Sequence, residues 1–231
     1  KQIIYSLNGL SGKYLREILQ GVNDIKEAVA CALTLLFLHR INSNLLSNPL
    51  NKNRSMASII VPIDDHWFHW RRLISDNIKE DSIDVHADLM WITIIENTVD
   101  DVIEIWPKII EAKYRTKADD AKDAIKKYYN QVQNTWELFC KWLDLEPSNN
   151  QPDSDYCEYH SSSNVNRYVK CLDLSSLLEF YLWRSMRLFP DLIQENIKNE
   201  ENFRSFVNKV VTKIYTGNYR ICFDVESFGE K

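Results

Sequence analysis

Glu96, Asp100 and Glu104 recur every four residues, with Asp101 beside them. On a helix that spacing stacks three carboxylates along one face. Carboxylates arranged this way can hold Mg²⁺ for diphosphate chemistry, because a hard divalent cation takes oxygen ligands. Asp100-Asp101-Val102-Ile103-Glu104 has the DDxxE form of an isoprenoid-synthase acid motif. A second acid motif at helical spacing is missing: Asp119, Asp120 and Asp123 sit among lysines. The plainer reading is a solvated helix edge. The metal reading, with Glu96, Asp100, Asp101 and Glu104 as ligands, stands as the alternative.

Asp64 to Arg72 mixes acids, two histidines, two tryptophans and two arginines. Two His at i, i+3 beside two Asp could begin a metal site, and aromatic-basic mixtures stack on single-stranded nucleic acid. On a helix, Trp67 and Trp70 more simply anchor a core or a partner, with Arg71 and Arg72 outside. Trp and Arg are favoured hot-spot residues. Trp67, Trp70, Arg71 and Arg72 are therefore the first expected partner-binding patch.

Three further groups carry weaker signals. Cys157-x-x-His160 is half of a zinc site without its other half nearby. Asp84, His86 and Asp88 alternate, and on a helix they would spread around the axis. Lys113, Arg115, Lys117, Lys122, Lys126 and Lys127 are diluted by Asp119, Asp120 and Asp123, as in a solvated face. Five glycines in the whole chain leave no room for a glycine-rich phosphate loop.

The elements that would position these groups read as helices. Only five Gly and six Pro interrupt 231 residues. Ile92, Ile95, Val99, Val102, Ile103 and Trp106 fall at spacings of three and four, one continuous apolar face ended by Pro107. Ala121, Ile125, Tyr128, Val132, Trp136, Phe139 and Leu143 repeat the pattern, and Phe203 to Ile214 does so again before Gly217. Further helices are expected at about 13–20, 23–46, 64–77 and up to Phe189, the last with Ser176 to Glu179 as a capping box or as helix interior. The fold class is all-α, an irregular bundle of about 7–9 amphipathic helices, with room for short β segments at the two ends.

The tail changes period. Tyr219, Ile221, Phe223 and Val225 alternate with polar residues, as in a half-buried strand. Such a strand needs a partner: residues 2–7, another part of the chain or another protein. Tyr219, Ile221 and Phe223 are the second expected partner-binding group, through strand donation. A helical part over 1–146, a polar loop over 147–166 and a C-terminal helical part over 167–231 are expected within one compact domain. The first residue is Lys1 rather than Met, which points to a piece of a longer polypeptide.

Composition bounds the function. The chain is 45% hydrophobic, 12% aromatic with seven Trp, and carries a net charge of −5. A dedicated nucleic-acid binder usually shows a basic excess. Five widely spaced cysteines suit reduced thiols in cytoplasm or nucleus. The longest apolar run, Ala28 to Leu38, is too short to cross a bilayer.

Ile3 to Leu15, with Gly9-x-x-Gly12-Lys13-Tyr14, resembles the opening of the N-terminal domain of gamma-tubulin complex proteins. That resemblance implies a helical scaffold that packs side by side. It covers thirteen residues, and fold and function are assigned without it. The expected function is a non-enzymatic helical protein–protein interaction or scaffold module of a larger intracellular assembly, with no cofactor. Its partner would be another protein or another part of its own longer chain. A Mg²⁺-dependent diphosphate enzyme and a helical RNA- or single-stranded-DNA-binding module are the alternatives.

Overall fold

A computed structural model describes Thr34 and residues 54–73, 86–112, 121–147, 156–161 and 167–224. The expected helices at 13–20 and 23–46, and the segment Ile3 to Leu15, lie outside the described residues. Within them the all-α expectation is wrong: the protein is mixed α/β. Strand β1 (Met56–Pro62) leads into helix α1 (Asp64–Leu73). The hairpin β2 (Leu89–Asn97) and β3 (Val102–Ile110) follows. Helix α2 (Ala121–Leu143), the short strands β4 (Leu145–Pro147) and β5 (Tyr156–Ser161), and helix α3 (Arg167–Leu188) come next. Two 3₁₀ turns lead to helix α4 (Glu200–Tyr215) and strand β6 (Tyr219–Asp224).

The strands form one mixed sheet in the order β1-β2-β3-β6-β5-β4. β1, β2 and β3 are antiparallel neighbours, and β6 runs parallel to β3. β5 then runs antiparallel to both β6 and β4.

The segment read as a helix over residues 92–106 is the β2–β3 hairpin. Its composition explains both the fold and the misreading. Ile92 to Ile95 and Val102 to Ile105 are rich in β-branched residues, which fit a pleated surface. Asn97 makes the turn. Its Oδ1 accepts from the Val99 and Asp100 amides at 3.0 and 3.1 Å. Asp101 takes the left-handed conformation at φ 57°, which Asp tolerates better than most residues. Pro107 sits in β3 opposite Ile92, beyond the three residues through which β3 pairs with β6. A proline is tolerated there because it interrupts no ladder on that side.

Alternation and register put Ala57 and Ile59 of β1, Ile92 and Ile94 of β2, Ile105 of β3 and Ile221 of β6 on one face. These residues share a buried core with Trp67 and Trp70 of α1, Phe139 of α2, Leu178 of α3 and Phe206 of α4. The opposite face holds Met56, Ile60, Leu89 and Trp91, which are buried as well. A sheet buried on both faces loses the apolar/polar alternation that marks strands in sequence. Its outer edge is covered: Gln194 donates its amide to the Met56 carbonyl at 2.9 Å, and Ala57 bridges to Ile193. That removes the edge as a template for unwanted pairing.

The α2, α3 and α4 segments are helices as expected, with Trp136, Phe139 and Leu143 of α2 and Phe203, Val207, Val210 and Ile214 of α4 buried, while Ile125, placed on the apolar face of α2, is 63% exposed. Asn199 caps α4 by accepting from the Asn202 amide at 2.8 Å, worth about 1 kcal/mol. Gly217, at φ 78°, ends the turn after it. Ser176 lies inside α3.

Candidate functional site

The four carboxylates form no helix stripe. Glu96 lies on β2, Asp100 and Asp101 in the hairpin turn, and Glu104 on β3. The hairpin still gathers them, and basic residues from the C-terminal elements meet each one. Arg220 of β6 reaches Glu104 Oε1 at 2.6 Å and Asp100 Oδ2 at 2.9 Å. Lys209 pairs with Glu96 at 2.8 Å and Lys213 with Asp101 at 2.5 Å, both from α4.

Glu104 is the most buried of the four. Besides Arg220 it accepts from Asn97 Nδ2 at 2.7 Å and Trp106 Nε1 at 3.3 Å. Burial pulls its pKa upward, but the bonds from Arg220, Asn97 and Trp106 and the Arg220 charge outweigh burial. Its carboxyl therefore titrates below the usual carboxylate value. Among the described residues no three His, Cys, Asp or Glu side chains are grouped to hold a metal ion. What this cluster does is pin the hairpin to α4 and β6.

The aromatic patch of α1 faces inward. Trp67 and Trp70 are 3% and 1% exposed, so neither ring can anchor a partner from the surface. Trp70 stacks on Trp142 of α2 at 4.9 Å, with His66 on its other side at 5.7 Å. His66 Nε2 meets the Tyr181 hydroxyl of α3 at 2.8 Å. Burial, followed by the charges of His69 and Arg184, lowers the His66 pKa to about 4. The ring is neutral at physiological pH. Arg71 is half-buried and Arg72 lies in the last turn of α1.

His86 packs its ring on Trp67 at 4.5 Å and meets Asp64 at 3.2 Å. Asp88 accepts from the Ala112 amide at 2.7 Å. Both residues tie loops to the core. Cys157 and His160 fall within β5, opposite Phe223 and Glu146 respectively.

Tyr219, Ile221 and Phe223 lie on β6, as the alternation predicts. The strand is already paired within the sheet: β3 pairs with Tyr219 to Ile221 and β5 with Ile221 to Asp224. Its partners are strands of this same chain.

The feature that remains open to solvent lies elsewhere. Helices α3 and α4 form an antiparallel hairpin: Trp183 meets Phe203 at 5.2 Å near one end, and Tyr168 meets Tyr215 at 5.1 Å near the other. The two tyrosine hydroxyls hydrogen-bond to each other. On the outer side of α3, Tyr168, Val169, Leu172 and Phe180 are 57%, 52%, 46% and 61% exposed. At Phe180 begins a groove of about 860 Å³, lined by Phe180, Trp183 and Leu188 together with Arg184, Arg187 and Arg204. Glu179 and Glu200 share its walls. Sequence reasoning did not single out these residues. The signal was there in α3, where apolar residues occur on every face, more than one buried side needs.

The fold and the groove define a mixed α/β protein with an apolar, arginine-lined helical hairpin on its surface. Compared with family models, with curated proteins and with solved structures, the chain matches none.

Proposed function

We propose that the chain is a non-enzymatic protein–protein interaction module of a larger assembly. It binds through the outer face of α3 and the groove that α3 forms with α4. The observation that carries this reading is the row Tyr168, Val169, Leu172 and Phe180, four large apolar side chains about half exposed on one helix. Contiguous apolar surface bordered by polar residues is the common mark of an interaction site. Burying one such side chain fully contributes about 1.5–3 kcal/mol.

The assembly belongs in cytoplasm or nucleus. Cys140 and Cys171 support that placement as free thiols. No described helix is long and apolar enough to cross a membrane.

Photo-crosslinking tests the reading. Benzoylphenylalanine at position 172 or 176 should crosslink a stoichiometric protein partner in cells, and the same group at exposed Asn208 on α4 should not. Crosslinks at Asn208 alone, or none from α3, would overturn it.

A further inference from the structure

We infer that the occupant of the α3–α4 groove is an acidic amphipathic segment of a partner protein, lying along α3 with its carboxylates over the arginine end. This rests on the interaction reading above and names the chemistry of the partner.

Charge is the first argument. The chain carries a net charge of −5, yet the groove walls hold three arginines against two glutamates. Glu200 is already bonded by Arg204 at 2.9 Å. Arg187 is exposed and makes no ion pair among the described residues. Arg184 lines the groove with its guanidinium 5.6 Å from the centre of the Tyr181 ring. Guanidinium forks beside apolar lining residues suit planar carboxylates.

The layout supplies the second argument. Along α3 the exposed side chains run from Tyr168 through Leu172 and Phe180 to Arg187. That distance is about 28 Å, or about five turns of a partner helix. The row carries Tyr168, Val169, Leu172 and Phe180, with exposed Ser176 and Glu179 among them, and is cationic at its end. A segment with bulky apolar residues at i, i+4 spacing and Asp or Glu toward one end matches it. The net charge of −5 on the whole chain opposes a long phosphate backbone more than a short peptide with a few carboxylates, which favours a peptide over a nucleic acid.

A peptide-display library selects the chemistry directly. Random sequences of about 20 residues, roughly five helical turns, are selected on the immobilised full chain. The expected pool is enriched in Asp and Glu over Lys and Arg, with Leu or aromatic residues at helical spacing. Synthetic members should bind at least about ten-fold more weakly to Arg187→Glu/Arg204→Glu, with the loss reduced at high salt. They should fail to bind Phe180→Asp. All three residues are exposed, and unchanged melting curves would show that the variants fold. A neutral or basic pool, no enrichment, or affinity indifferent to the arginine reversal would overturn the inference. Displacement of the peptides by a labelled oligouridylate, with steep salt dependence, would overturn it in favour of nucleic acid. A protein crosslinked through α3 that shows no charge preference would leave the interaction reading standing while this inference fails.

Discussion

Arg220 joins β6 to the hairpin by placing its Nη2 2.6 Å from Glu104 Oε1, across 116 residues of sequence. Their side chains are 19% and 10% exposed. Removing one partner of such a pair leaves the other charge poorly solvated. Arg220→Met should therefore cost about 3 kcal/mol. Glu104→Leu/Arg220→Met should recover part of that loss, because no orphan charge remains. Denaturant titration of the three proteins checks this; an Arg220→Met midpoint equal to wild type would contradict it.

The same pair sets an acid limb. The folded pKa of Glu104 lies below its unfolded value. The stability it contributes is fully present at neutral pH and is lost as pH falls through the depressed folded pKa. Glu104→Gln should flatten the decline of melting temperature below the ordinary carboxylate range. An unchanged acid slope in the variant would remove Glu104 from the account.

Because each of the four acids already pairs with Lys209, Lys213 or Arg220, millimolar Mg²⁺ should leave the melting temperature of wild type unchanged. A rise that disappears in Asp100→Ala/Glu104→Ala would mean that the acids bind metal in preference to their cations.

His66 gives a second, separable pH dependence. Its folded pKa of about 4 lies below the ordinary imidazole value of 6.5. The unfolded chain therefore takes up a proton first as pH falls. Stability should decline between about 6.5 and about 4, by no more than about 2 kcal/mol once screening of a partly exposed ring is allowed for. NMR titration of the imidazole should show no protonation at pH 5.5. A midpoint near 6.5 would contradict the buried, Tyr181-bonded geometry.

Phe180→Asp should leave stability within about 0.5 kcal/mol of wild type, because the ring is 61% exposed. Leu178→Asp, two residues away and fully buried, should unfold the chain through a buried unpaired charge. Equal destabilisation of the two variants would show that the outer face of α3 is a packed surface.

Much of this was legible in the sequence where one face alone is apolar. The amphipathic runs of α2 and α4, and the alternation of Tyr219, Ile221 and Phe223, announce their elements correctly. The hairpin was not legible. Ile92 to Trp106 happens to satisfy helical spacing, and burial of both sheet faces erases the alternation that would have corrected it. Asn97 with the two aspartates, together with the density of isoleucine, were the local signs of a turn between strands. The acids do meet, on a hairpin rather than a helix face, but their cations come from α4 and β6, more than a hundred residues later, and no local pattern predicts that meeting. The groove was missed because α3 is apolar all round, which reads in sequence as a buried helix.

The most direct test of the interaction account is affinity isolation of wild type and Phe180→Asp side by side, at moderate salt, with quantitative mass spectrometry. The account predicts a stoichiometric protein partner with wild type that falls about ten-fold or more with the variant, the drop expected when an interface anchor is lost. A partner retained equally by both proteins, or a lone chain in both, would contradict it.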